Sequence, residues 1–272
     1  MTHNENTHRY SGRGSAYAAR AAYPESLIFQ TLKEVGLQKG DVVTDIGSGS
    51  GRFTEVLLKY GLEVYAVEPS DMRVQAQDRL GASSLFHSLQ GEAVEPNIPE
   101  NVSGKISAVC IGQAAHWWRD QFKEAVGVWH EFLKPGGKVV LLTLHWSDAD
   151  PVCVEINDTL MHVCPDYMTP PVRLLRSDSP GFSPEEHSRY IQPGTERTKR
   201  IEDIRLVNEA TFRAQMTSFS FMPHPDKDPG NHASVLDSVL KIFHKHASDG
   251  VLKIPIVAET YYGTLIDPAL IR

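Results

Sequence analysis

The segment Asp45-Ile46-Gly47-Ser48-Gly49-Ser50-Gly51 constrains this chain more than any other. It joins two runs of different periodicity. Before it, Val42 to Ile46 is a short apolar run behind Asp41, the pattern of a buried strand. After it, Phe53 to Tyr60 reads as a helix. Glycines at alternate positions let a backbone turn tightly and approach a ligand where a Cβ would clash. The helix that opens there presents free N-terminal amides, which suit a carboxylate or a phosphate. A chain with this opening is expected to form an α/β unit with its ligand at the strand-to-helix turn.

The surrounding sequence repeats the alternation. Pro24 to Val35 reads as a helix, with Leu27, Ile28, Thr31, Leu32 and Val35 on one face and Gly36 as its stop. Strands are expected at Val64 to Val67, Leu85 to Leu89, Ile106 to Ile111 and Lys138 to Trp146. Helices are expected at Asp71 to Leu80 and at Trp118 to Leu133, the second stopped by Pro135-Gly136-Gly137. Contiguous apolar strands alternating with helices predict a parallel sheet covered on both faces. The pattern breaks after Trp146, where prolines become frequent. Residues 147–200 are expected to form a cap over the sheet, opening with a helix that carries Val152, Ile156, Leu160 and Val163 on one face. Helices return near Thr211 to Ser218 and Ala233 to His246. A last strand follows from Leu252 to about Leu265, interrupted near Pro255 and Gly263. With 272 residues, 41% of them apolar, the chain suits one α/β domain over 1–272 that carries an insertion.

Two nucleotide chemistries compete for the glycine loop. A dinucleotide fingerprint needs G-x-G-x-x-G, and counting from Gly47 its third glycine falls on Arg52. The spacing present is G-x-G-x-G with an acid two residues ahead. S-adenosylmethionine (SAM) has no pyrophosphate, and its amino-acid end carries an ammonium. Asp45 is placed to hold that ammonium, directly or through water. Glu68, at the end of the second strand, suits the two ribose hydroxyls, as the corresponding acid does in nucleotide-binding α/β folds. Glu92, in Gly91-Glu92-Ala93 after the third strand, could accept from the adenine amine; the plainer reading is a surface acid in a turn.

These segments, with Val67-Glu68-Pro69-Ser70, Gln113-Ala114-Ala115-His116-Trp117 and Leu133-Lys134-Pro135-Gly136-Gly137, resemble the ordered motifs of class I SAM-dependent methyltransferases. The likeness is to small-molecule enzymes of the trans-aconitate and ubiquinone-biosynthesis type, and it runs from about Tyr10 to Trp146. It implies a Rossmann-like seven-stranded sheet of order 3-2-1-4-5-7-6 with helices on both faces and the last strand antiparallel. It also implies a cofactor site of Tyr17, Arg20, Asp45, Gly47, Gly49, Gly51, Glu68, Pro69, Glu92, Ala93 and Gln113. Residues 1–23 would be a lid in which Tyr17 and Arg20 face the cofactor's amino-acid end; ordinary helix packing is the alternative. Met72 stands one residue earlier than in relatives.

Methyl transfer asks a protein mainly to align nucleophile and methyl and to exclude water. His116 follows the fourth strand, on the side where ligands of open α/β sheets sit. It is a candidate general base, or else an orienting histidine. No metal-ligand spacing is present. A net charge of −7 without a dense basic run disfavours nucleic acid as the acceptor, so a small molecule under the 145–200 segment is expected. The alternative is a non-catalytic SAM-binding or partner-binding module on the same fold. Three sparse cysteines and a polar N-terminus suit a reducing cytoplasm. No apolar run of about 18 residues suggests a membrane span. No feature of the sequence encodes an oligomeric state.

Overall fold

A computed structural model describes residues 20, 22–168, 174–175 and 183–271. Tyr10 and Tyr17, and with them most of the expected lid, lie outside the described residues.

Seven strands form one sheet of order β3-β2-β1-β4-β5-β7-β6. They are β1 Val42–Ile46, β2 Glu63–Val67, β3 Phe86–Leu89, β4 Ile106–Gly112, β5 Leu133–Trp146, β6 Arg197–Asn208 and β7 Val251–Thr264. β1 to β5 pair in parallel, and β7 runs antiparallel to both β5 and β6. This is the expected order, with the last strand antiparallel. The long helices are α1 Glu25–Glu34, α2 Arg52–Tyr60, α3 Met72–Leu80, α4 Phe122–Phe132, α5 Pro151–Val163, α7 Glu209–Ser218 and α8 Pro229–His246; α6, Pro184–Ser188, is a short one.

Both faces of the sheet are covered, as contiguous apolar strands require. On one face Val43, Val64, Val140 and Leu142 cluster with Leu27, Ile28 and Leu32 of α1 and with Phe53 and Leu57 of α2. On the other, Val109, Ile111, Val139 and Leu141 meet Val126 and Trp129 of α4. A third apolar cluster arises because β5 and β7 outrun their neighbours. β4 ends opposite Leu142, whereas β5 continues to Trp146. On this projection Trp146, Ile254 and Ile256 pack against Ile156 of α5, Phe212 of α7 and Phe243 of α8. The result is a lobe raised above the carboxyl ends of β1 to β4.

Three local expectations differ from what forms. The helix expected from Trp118 begins instead as a 3-10 turn, Ala115–Gln121, broken at Trp118 (φ −121°, ψ 29°), and becomes α-helical at Phe122. The break turns the Trp118 indole inward beneath the glycine loop. The last strand is not interrupted at Pro255. The β5 ladder ends at the Trp146–Ile256 pair, and Pro255 needs only its carbonyl, which accepts from the Ser147 amide at 2.9 Å. β6 begins at Arg197, inside the stretch assigned to the cap. It is an edge strand in which only Val207 is buried, so it carries no apolar period to read.

The described parts of the cap divide between both sides of the sheet. α5 joins the raised lobe, its first turn capped by the Asp150 side chain, which accepts from the Val152 and Cys153 amides. α6 and the residues after it lie on the α4 side, where His187 stacks on Tyr261 and Tyr190 packs on Trp129.

Candidate functional site

The β1–α2 turn needs its glycines for two separate reasons. Gly47, Gly49 and Gly51 all have positive φ, between 54° and 79°, where side chains are disfavoured. In addition, a Cβ on Gly47 would sit 2.5 Å from that of Ala114, so the bare backbone of the turn lies directly against the Ala114 methyl of the β4 loop. At Gly51 a Cβ would fall 2.7 Å from Leu80 and 3.1 Å from Ala76, which lets α3 close on the loop.

Glu68 directly follows β2, beside this turn, and is 7% exposed. Its Oε2 accepts from the Gly49 amide at 2.9 Å, and its Oε1 from the Ser70 amide at 3.0 Å and the Ser70 hydroxyl at 2.5 Å. Oε2 therefore keeps a lone pair for a further donor, and rotation of the Ser70 hydroxyl frees a second on Oε1. Two geminal acceptors at the rim of a cleft match a vicinal diol.

Asp45 sits elsewhere. It is fully buried below the loop and does not line the cavity. Its Oδ2 accepts from the Thr54 hydroxyl at 2.6 Å, while Oδ1 has no hydrogen-bond partner among the described residues. Burial pushes its carboxyl up to about 7, against the Thr54 hydrogen bonds, and the nearby Glu68 charge adds to the rise. Its direct contact is thus with the first turn of α2, the helix that follows the loop.

One cavity runs over the carboxyl ends of the strands and under the raised lobe. Its first half is lined by Gly47, Gly49, Glu68, Pro69, Glu92, Ala93, Gln113 and His116, so these expected site residues come together. Gly51 stays behind the loop as the N-cap of α2. Ala93 also gives its carbonyl to the Trp129 indole at 2.9 Å. Met72, displaced by one residue in the sequence, still reaches the cavity wall. Arg20 lines the cavity as well. Its Nε donates to the Ser218 hydroxyl at 2.9 Å and its Nη2 to the Ser218 carbonyl at 2.8 Å, tying the N-terminal segment to the end of α7.

Gln113 holds φ +56°, a left-handed conformation for a residue with a side chain. Its amide donates to the Leu142 carbonyl at 2.9 Å, which continues the β4–β5 ladder one residue past the strand while the chain turns over the cleft. His116 follows in the 3-10 turn, 6% exposed, its ring 4.5 Å from that of Trp117. Burial, then the charges of His187 and Arg20, push its imidazole down to about 3. It is therefore neutral at ordinary pH.

Sequence reasoning missed most of the second half of the cavity, which is lined by Trp146, Arg205, Gln215, Phe219, Phe221 and Ile256, among others. Of the described residues in 147–200, Leu174 is the one that reaches it. Period-2 alternation over Leu252 to Ile256 was the available signal for the β7 contribution; nothing in β6 pointed to Arg205. His145 also lines this half. Its Nδ1 lies 3.0 Å from the Trp146 carbonyl, which can only accept, so Nδ1 carries a proton and Nε2 faces Glu259 Oε2 at 3.7 Å. Glu259 in turn accepts from the Tyr261 hydroxyl at 3.2 Å.

Among the described residues no cluster of three or more His, Cys, Asp or Glu could hold a metal ion, and no helix is long and apolar enough to cross a membrane.

A family model described as a methyltransferase domain matches residues 44–139, which run from β1 into β5. An uncharacterised methyltransferase from Geobacillus kaustophilus is 33% identical over 122 residues, which is 44% of this chain and 54% of that one. Another, from a Geobacillus species, is 32% identical over 119 residues, 43% of this chain and 54% of that one. The chain thus spans about half the length of the curated relatives it matches. Among solved structures, a candidate type II methyltransferase from Anaeromyxobacter dehalogenans superposes with a TM-score of 0.63 at 18% identity, over 91% of this chain and 98% of that one. The YcgJ protein from Bacillus subtilis gives 0.50 at 16% identity, over 90% and 100%. The sheet is that of Rossmann-like methyltransferases; the trans-aconitate and ubiquinone group is not singled out by these matches.

Proposed function

We propose that this protein binds SAM in the first half of the cavity and transfers its methyl group to a small molecule in the second. The observation that carries this reading is Glu68, a carboxylate at the end of β2 with acceptor capacity to spare, facing a cleft whose floor is the glycine turn. The residues fit the cofactor. Glu68 would take the ribose hydroxyls, Glu92 and Ala93 the adenine, and the Gly47–Gly49 backbone, Gln113 and Arg20 the amino-acid end. Asp45 would act through the loop and a bound water. When bound, SAM supplies a methyl on a positively charged sulfur, already activated for displacement.

The chain's own part is alignment and exclusion of water. The methyl–sulfur bond breaks with its electron pair staying on sulfur, the acceptor's lone pair forms the new bond, and any proton on the acceptor atom leaves. His116 and Trp117 border the place where the halves meet. A neutral His116 orients an acceptor by hydrogen bonding better than it removes a proton, because an imidazole held near 3 is a weak base.

A second reading, SAM binding without turnover, gains support from that same weak base. Two measurements separate the possibilities. Calorimetry with S-adenosylhomocysteine and with NAD tests the cofactor; tight NAD binding with no response to S-adenosylhomocysteine would sink the first reading. Incubation of labelled SAM with metabolite extracts tests turnover, and the absence of any labelled product from a protein that binds the cofactor would leave the second.

A further inference from the structure

We infer that the second half of the cavity is built for a molecule with an apolar body and one anionic group, held by Arg205, and that it rejects cationic amines. The inference rests on the methyltransferase reading only in calling that half the acceptor's.

The sheet order separates the charges. Among the described lining residues the carboxylates are Glu68 and Glu92, and both lie on the β2–β3 side. Arg205 lies on β6, at the opposite edge, paired with Ile254 of β7. Between them the second half is walled by Trp146, Leu174, Phe219, Phe221, Ile254 and Ile256. An ammonium placed there would lose its water and meet no carboxylate, which is costly for a charge in an apolar site. One buried acid stands behind the wall, but Glu259 does not line the cavity. It accepts from Tyr261, and His145 faces it from the cavity side.

Arg205 is the complementary group. Its Nη2 donates to the Ala22 carbonyl at 3.2 Å and pairs with Asp203 at 3.2 Å, while its Nε is buried without a hydrogen-bond partner among the described residues. Asp203 is half exposed, so water screens that pair. The guanidinium thus brings a positive charge to a wall that is apolar apart from His145, Gln215 and Ser220. Arg20, over the Phe219 ring at 4.8 Å, adds a second positive charge where the two halves meet. A carboxylate or a similar oxyanion satisfies Arg205, and an apolar body fills the space beside it.

The test uses three probes of matched shape: 3-phenylpropionate, 3-phenylpropanol and 3-phenylpropylamine. Each is titrated by calorimetry into the full chain saturated with S-adenosylhomocysteine. The carboxylate is expected to bind at least about tenfold more tightly than the amine, a difference within reach of one charge-assisted hydrogen bond. Arg205→Gln is expected to erase that preference while the affinity for S-adenosylhomocysteine stays within about twofold, and Arg205→Lys to retain part of it. Binding of the amine as tightly as the carboxylate overturns the inference. So does carboxylate affinity unchanged in Arg205→Gln, or no carboxylate binding at millimolar concentration. Should Arg205→Gln fold poorly, the comparison of the three probes on the unmodified chain decides alone. A failure to bind S-adenosylhomocysteine strikes the methyltransferase reading instead; the same probes, titrated into the free protein, then judge the charge preference by itself.

Discussion

In the first half of the cavity the ligand-facing groups come from loops at the ends of β1 to β4, and much of what they offer is backbone. In the second half they are side chains on β5, β6 and β7, on and after α7, and Leu174, drawn from Leu144 to Ile256. The first half is polar, with two carboxylates; the second is mostly apolar and has no carboxylate among its described lining residues, with Arg205 as its cation. Backbone built around positive-φ glycines tolerates almost no change, because a Cβ at Gly47 would meet Ala114. Side chains projecting from strands can be exchanged without moving the fold. The difference is that between a site that fixes one cofactor and a site that can be retuned to a different acceptor on the same frame.

Substitutions confined to one half should therefore leave the other intact. The largest effect is expected from Glu68→Ala. Losing two hydrogen bonds to a charged acceptor, each worth about 1.5–3 kcal/mol, should weaken S-adenosylhomocysteine at least about 100-fold by calorimetry. Probe binding near Arg205 should change little. Equal losses in both halves would mean that the two are one coupled site.

Ile256→Ala addresses the other side. It removes a buried side chain of the raised lobe, so denaturant unfolding should show a loss of about 2–4 kcal/mol. Affinity for S-adenosylhomocysteine should stay within about twofold under native conditions. A large fall in that affinity would show that the lobe helps to hold the cofactor.

Asp45 sharpens the comparison through pH. Its folded carboxyl is raised to about 7 from an ordinary value near 4, so the folded state holds the proton more tightly than the unfolded one. That contribution to stability is complete below about pH 4 and is lost as pH rises through 7. Asp45→Asn should therefore be close to neutral at pH 4 and more stable than the original by about 1–3 kcal/mol at pH 8, read from urea midpoints. An identical pH profile in the two proteins would remove Asp45 as the titrating group.

The smallest effect concerns His116. Its imidazole is pushed below its unfolded value to about 3, so it gains no proton until well below pH 6. Turnover plotted against pH should show no inflection near 6.5 that His116→Asn abolishes, and the substitution should cost about tenfold in kcat at most. A limb near 6.5 that vanishes in the variant would restore His116 as a general base.

The sequence determined the first half because its signals are local. A strand, a glycine turn and a helix lie within Val42 to Tyr60, and Glu68, Glu92 and Gln113 each stand next to a strand end that can be read from contiguous apolar residues. Even the shift of Met72 by one residue did not remove it from the wall, since helix α3 still brings it over Gly49. Asp45 was legible as part of the motif, but its depth was not, because burial depends on what closes above the strand. The break in the helix at Trp118 was equally hidden; it answers to the space under Gly47, far away in sequence.

The second half was decided by tertiary structure. β6 is a charged edge strand, and an edge buries too little to impose a period. Its register against β7 is what carries Arg205 to the cavity opposite Ile254. The length of β5 beyond β4 is what raises the lobe. Of the described residues between 147 and 200, which the prolines marked as an insertion or cap, α5 lies on one side of the sheet and α6 on the other. Local sequence fixes what depends on the chain's own φ, ψ and apolar period. Which distant side chains share a wall depends on strand length and pairing, and those are settled only when the whole sheet packs.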